Sequence, residues 1–356
     1  MVHPARRHAA GTGSLIGVGS KPRWGILLAV TVLIVAAAGA YAAVAFQRFE
    51  DSRTAASSAR VASGVAVLER ASVLFRNTAP GQGYGMIGTV PLSRPGGERA
   101  LTEVACDRVY GTMEDIVCLR TSRGLVTNFE AVLLDPGWRQ TGSWAVPGIP
   151  SRTRMSADGA LVATTVFVSG HSYGAAGFST ETSVTSVQGG GGTGNLEDFA
   201  LLVNGTRLAA ADRNIWGVTF VPGQSDAFYA TAASSGRIWL VKGSISARTL
   251  TAVHDGVECP SLSPDGTRIA YKKNIGSPLA AHWNVAVLDL AGGKETVLSE
   301  QRSVDDQIEW LDDQTLLYGL PRDAAAGDSD IWQIKADPAS RSSIYIEHAW
   351  SPSVVR

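Results

Sequence analysis

The sequence predicts an all-β fold: a six-bladed β-propeller closed by a C-terminal strand and preceded by one N-terminal transmembrane helix. The first observation behind this is a repeat. Leu262-Ser263-Pro264-Asp265-Gly266-Thr267-Arg268-Ile269-Ala270-Tyr271 recurs in degraded form along the chain. Met155-Ser156-Ala157-Asp158-Gly159 precedes Leu161-Val162-Ala163, and Phe220-Val221-Pro222-Gly223 precedes Phe228-Tyr229-Ala230. Trp310-Leu311-Asp312-Asp313 precedes Leu316-Leu317-Tyr318. Units of roughly forty residues built from short strands are the signature of a propeller. The second observation is the period. Val109, Met155, Phe220, Leu262, Trp310 and Trp350 hold one place in successive units, at separations of 46, 65, 42, 48 and 40 residues. The third is complementary ends. His348–Pro352 reads as an inner strand and the start of its turn, while Val73–Arg76 and Tyr84–Pro91 read as second and third strands lacking an inner one. The two fragments complete one blade and leave no open sheet edge.

Along the chain, residues 1–24 form a basic tail, with Arg6, Arg7, Lys21 and Arg23 and no acidic residue. Gly25–Phe46 is apolar and uncharged. Its length in a helix is about 33 Å, enough for a bilayer core. Basic residues ahead of such a helix keep the N-terminus in the cytoplasm, so the propeller is expected outside. The small residues of Ala38-Gly39-Ala40 and Ala40-Tyr41-Ala42 leave a cleaved signal peptide, and secretion, as the alternative. Residues 47–71, rich in Ser, Ala and Arg, read as a stalk, and residues 72–356 as the extracytoplasmic propeller.

Each blade follows from turn chemistry. Pro264 presets the first corner of a tight turn, Asp265 bonds its own downstream backbone, and Gly266 accepts a positive φ. That turn links an inner strand ending at Leu262 to Arg268–Lys272. Trp283–Asp289 and Glu295–Leu298 complete the four-stranded unit. Cys106 and Cys118 flank the inner hairpin of the second blade, so a disulfide between them is expected, with Cys259 left as a buried free thiol. The 65-residue interval carries a surplus of about twenty residues, including Gly170–Phe178 and Gly189–Asp198. With few large apolar residues, this insertion is expected to serve binding rather than folding.

The Ser-Pro-Asp-Gly…Ile-Ala-Tyr unit resembles the propeller repeat of TolB and its relatives, over about residues 72–356. The overall arrangement looks like a membrane-anchored TolB-like propeller of actinobacterial type. The resemblance implies the fold and a role in the cell envelope. Residues 47–71 are too few for the α/β domain that precedes the propeller in TolB.

The one Gly-x-Ser-x-Gly pattern, Gly170-His171-Ser172-Tyr173-Gly174, falls in a loop between two expected strands rather than at a strand-to-helix elbow, and Gly189–Gly192 lacks the Gly-Lys-Ser/Thr ending of a phosphate loop. Asp158 and Asp265 read as turn formers. Six histidines and three cysteines show no metal-ligand spacing, and no cofactor motif appears. Setting aside the four basic residues of the tail leaves 27 Lys and Arg against 32 Asp and Glu, without a basic stripe, which excludes nucleic acid as a partner. What remains is a loop-rich face, where binding residues usually sit. Its candidates are His171, Tyr173, Phe178, Arg213, His282, Arg322, Asp323 and Asp328. The expected function is an interaction module for an envelope protein or peptide. The alternative is a hydrolase or lyase acting on envelope glycan or peptide, which would need paired carboxylates in the central channel.

Overall fold

Six sheets, each begun by an inner strand that the repeat marks, make up the computed structural model, which describes residues 21–64, 66–168, 179–189, 191–277, 280–323 and 326–356. The chain divides into two compact units, residues 1–54 and 55–356. The first contains a helix, Lys21–Thr54, of 34 residues. Within it, Trp24–Arg48 is long and apolar enough to cross a membrane.

The second unit is the propeller. Blade two comprises Arg108–Gly111, Ile116–Ser122, Asn128–Leu134 and Gln140–Ala145, from the inner strand outward. Blade three comprises Ile149–Met155, Leu161–Val168, Ser179–Ser186 and Gly192–Asn195. Blade four follows with Asn214–Phe220, Ala227–Ser234, Arg237–Ser244 and Thr249–Asp255. Blade five is Glu258–Leu262, Arg268–Asn274, Trp283–Asp289 and Glu295–Val297, and blade six is Glu309–Trp310, Thr315–Pro321, Ser329–Lys335 and Ser343–Ile346. Blade one takes its inner strand from the far end of the sequence. Ala349–Val355 pairs antiparallel with Ser72–Asn77, from Ser72 opposite Val355 to Asn77 opposite Ala349, and Met86–Pro91 and Ala100–Ala105 follow outward.

The turns work as their residue types dictate. Ser263 Oγ donates to Asp265 Oδ1 at 2.5 Å, the Thr267 N–H donates to the same oxygen at 3.0 Å, and Gly266 has φ 72°. Ser156, Asp158 and Gly159 repeat this arrangement in blade three. Between blades the interior is apolar. Val109, Met155, Phe220, Leu262 and Trp310, the equivalent positions of five units, are buried. Trp350 is only half-buried. Its ring lies against Gly319, where a Cβ would clash with it, and beneath the guanidinium of Arg108.

Two expectations change. The stalk is shorter than residues 47–71. Gln47–Thr54 continues the helix, and the chain from Ala55 packs on the propeller. Gln82 N–H donates to the Ala55 carbonyl, Ser58 N–H to that of Pro80, and Trp138 Nε1 to that of Ala66. Ala66 and Leu68 are buried, because apolar side chains in this stretch find the propeller rim. The insertion also contributes to folding. Past Asn195 it makes a short 3₁₀ turn, Leu196–Asp198, and a hairpin, Ala200–Val203 with Thr206–Leu208. That hairpin adds parallel to Thr249–Asp255 and widens blade four to six strands. Leu196, Phe199 and Leu201 are fully buried beside Ile215 and Phe228, three apolar anchors hidden in a Gly- and Thr-rich stretch. Gly170–Phe178 lies outside the described residues.

Truncation after Tyr345 is expected to abolish cooperative folding. It removes the strand that completes blade one, including the buried Val354 and Val355, at about 1.5–3 kcal/mol for each valine, and it exposes a sheet edge. A monomeric truncated chain with an unchanged melting temperature would contradict this closure.

Candidate functional site

The inner strands carry charge toward the centre of the ring. Alternate side chains of a strand share a face, so Arg152 and Arg154 point the same way, as do Arg108 and Tyr110. Arg154 is the hub of an upper layer. Its Nη1 lies 2.6 Å from Glu309 Oε2, and its Nη2 donates to Ser261 Oγ at 2.8 Å and to the Ile308 carbonyl at 2.6 Å. The two side chains are 6% and 2% exposed, so the pair is desolvated. Tyr110 OH donates to Glu309 Oε1 at 3.4 Å, and the Arg154 guanidinium stands over the Tyr110 ring. Burial works against the charge on Arg154, but Glu309 and Tyr110 together raise its pKa above the usual arginine value. Burial, with Glu309 adding to it, pushes the Tyr110 phenol up.

A second layer joins the same inner strands to the connection before blade six. Arg108 Nη1 lies 2.7 Å from Asp306 Oδ1, and the Gly319 N–H donates to Asp306 Oδ2 at 2.9 Å. Asp305 lies between Arg152, at 3.5 Å, and Lys272. Burial opposes ionisation of Asp305, yet Lys272, Arg152 and Arg108 together hold its carboxyl below the usual range. Lys272 Nζ also stands 4.6 Å over the Trp283 ring. Gln307 Nε2 donates to the Thr153 carbonyl at 3.1 Å. The channel is therefore crossed by paired charges.

Above the upper layer, on the face formed by the first-to-second-strand turns, a cavity of about 330 Å³ opens. Arg154, Glu309 and Tyr110 line it together with Met155, Phe220, Leu262 and Trp310, and Arg70 and Arg356 lie at its edge. Arg70 Nη1 donates to the Arg356 carbonyl at 3.3 Å. Ala157 is an exposed member of the lining.

The loop-face candidates are distributed over separate blades. His171, Tyr173 and Phe178 lie outside the described residues. Arg213, before blade four, donates to the carbonyls of Ala210 and Phe199 and so fixes the insertion. The His282 backbone N–H bonds the Asn274 side chain in blade five. Arg322 and Asp328 do meet, at the seam between blades six and one. Arg322 Nε lies 2.8 Å from Asp330 Oδ1 and 3.9 Å from Asp328, and its Nη2 lies 3.4 Å from Glu347. Asp328 accepts from Thr78 Oγ1 at 3.0 Å and lies 2.7 Å from His348 Nδ1. These bonds fasten the ring. Asp323 is exposed. Among the described residues, no group of three His, Cys, Asp or Glu is placed to hold a metal.

Comparison with known proteins bears on the fold. No model of a known protein family matches the chain, and no curated protein matches it in sequence. Among solved structures, TolB from Acinetobacter baumannii superposes with a TM-score of 0.53 at 13% identity, covering 82% of this chain and 68% of that one. The fold is a TolB-like six-bladed propeller. Lower similarity, at 10% identity each, is found to an oligogalacturonate lyase in complex with manganese and to the propeller domain of the Trilobed protease from Pyrococcus furiosus. The lyase has a TM-score of 0.44 and covers 73% of both chains. The protease domain has a TM-score of 0.39 and covers 67% of this chain and 70% of that one. Such likenesses are of fold, a scaffold that hosts unrelated functions.

Sequence reasoning missed the channel residues of this TolB-like propeller. A signal was present: Arg152-Thr153-Arg154 alternates charge on a strand that ends at the Ser156–Gly159 turn. Positions just before such turns face the ring centre, where a charge needs a partner. Replacing Arg154 by Met is expected to destabilise the propeller by about 3–5 kcal/mol in chemical denaturation, because the buried Glu309 is left with only the more distant, partly exposed Arg356, at 3.7 Å, as counter-charge. Replacing both residues, Arg154→Met with Glu309→Leu, should recover much of that loss. Additive losses would show that the pair does not act as a unit.

Proposed function

We propose that the chain is a membrane-anchored propeller that acts outside the cytoplasm as an interaction module, holding an envelope protein or peptide at the mouth of its plugged channel. The observation that carries this reading is the pairing of charge beneath the mouth. A hydrolase or lyase needs an acid or base free to move a proton. Glu309, Asp306 and Asp305 each lie against a cation instead. The cavity above them has an apolar wall and a few convergent polar groups, the usual make-up of a binding pocket. Its volume of about 330 Å³ suits a short segment of a partner, such as one or two side chains.

The address rests on separate features. The span Trp24–Arg48 follows a basic tail free of acidic residues. Cys106, in the link from blade one to blade two, is joined to Cys118 on the second strand of blade two, with a Cα–Cα distance of 5.6 Å. Disulfides persist in oxidising compartments, which supports a location outside the cytoplasm. Cys259 is buried and free.

Ala157→Trp tests the docking site, since a bulky side chain at the lining obstructs the cavity without removing a buried contact. The full chain with this change should keep its melting temperature and lose the partner that the unaltered chain captures from solubilised membranes. Undiminished capture would exclude the mouth as the docking site.

The address is tested on intact spheroplasts. Added protease should digest the propeller, and non-reducing peptide maps should recover Cys106 linked to Cys118. A protected propeller with both thiols free would put the domain in the cytoplasm. A mature N-terminus near residue 43 would replace the anchor by a cleaved signal.

A further inference from the structure

The two faces of the propeller differ in apolar exposure. One face carries the first-to-second-strand and third-to-fourth-strand turns, and none of its described turns contains an exposed large apolar side chain. The other carries the second-to-third-strand loops and the connections between blades. There, Tyr84 of blade one, Leu125 and Val126 of blade two, Ile149 and Phe167 of blade three and Ile275 of blade five are all exposed. Leu125 is fully exposed at a loop tip, and the exposed Arg123 lies two residues before it. Burying such side chains would help folding, so their exposure on a single face is informative.

The propeller is also tethered at this face. The Ala55 carbonyl accepts from Gln82 and the Pro80 carbonyl from Ser58, and both acceptor and donor positions Pro80 and Gln82 belong to the second-to-third-strand loop of blade one. Gly81, with φ 102°, permits this contact, since a Cβ there would strike the Ala55 and Ala56 carbonyls. The candidate span ends at Arg48, so six residues, 49–54, lie between it and Ala55. Fully extended, they reach no more than about 25 Å.

From these two facts we infer that the loop face lies against the lipid surface of the membrane in which the chain is anchored, with Leu125 and Val126 in the headgroup region. The inference rests on the anchored reading of the N-terminal helix. A short tether holds the loop face at high effective concentration near lipid, so a few apolar side chains suffice where they would not bind a membrane alone. Apolar loop residues beside an arginine suit an interface with anionic headgroups. Contact on this side leaves the channel mouth directed away from the membrane, where a docking partner has access.

The test uses the full chain reconstituted in vesicles of phosphatidylcholine and phosphatidylglycerol, with some phosphatidylcholine spin-labelled near the headgroup. Leu125→Cys carries an environment-sensitive fluorophore, and Glu114→Cys carries the same fluorophore on the opposite face of blade two. Labelling is selective because Cys259 is buried and the other two cysteines are joined. The probe at 125 should shift to the blue and lose about half its emission to the spin label, as expected for a side chain in the headgroup layer, while the probe at 114 should do neither. Equal responses at the two positions, or an unquenched probe at 125 in a chain that retains residues 25–46, would overturn the membrane contact alone. Loss of residues 25–46 from the mature chain would overturn the contact and the anchor together.

Discussion

The pairing of Ala349–Val355 with Ser72–Asn77 is the constraint on which the rest of this propeller depends. Without it, blade one has no inner strand, the ring of inner strands has a gap, and the channel layers lose one wall. The partners are far apart in sequence, so ordering the chain between them is a large entropic burden that only the completed ring offsets. The seam is accordingly reinforced. Arg322, Asp328, Asp330, His348 and Thr78 bond across the join of blades six and one. Arg99 donates from blade one to the Glu347 and His348 carbonyls.

Closing the ring brings charges to its centre, and the same geometry determines what they can do. Arg154 and Glu309 sit on blades three and six. Burial makes an isolated charge prohibitive, so each requires the other. The result is a pre-arranged polar plug. It gives the cavity a floor of paired charge. One layer down only the cation is buried: Lys272 meets the exposed Asp305, and Trp283 covers its ammonium.

The two faces of the disc then diverge. Tight turns of the Ser-x-Asp-Gly kind keep one face compact and polar around the cavity. The longer loops on the other face carry exposed apolar side chains and receive the chain from the helix. A propeller separates such faces because its strands run roughly along the channel axis and alternate in direction. Each type of connection therefore recurs on one side.

Much of the fold was legible in sequence because a repeat is a local property. Pro264-Asp265-Gly266 forms its turn with its own neighbours, and six spaced inner-strand positions give six blades. Even the closure could be read, since each end lacked what the other supplied. The insertion was misjudged because Leu196, Phe199 and Leu201 are three apolar residues among glycines and threonines, and only the adjoining blades show that all three are buried. The stalk was overdrawn for a similar reason: Ala66 and Leu68 look unremarkable until Trp138 and the rim of the propeller lie beside them. Sequence by itself determined blade number, turn positions, ring closure and a helix fit to cross a membrane, all set by short-range chemistry or composition. Only the tertiary structure decided which charges meet. Arg154 and Glu309 are 155 residues apart, and whether a buried arginine finds a carboxylate depends on the whole ring having closed around it.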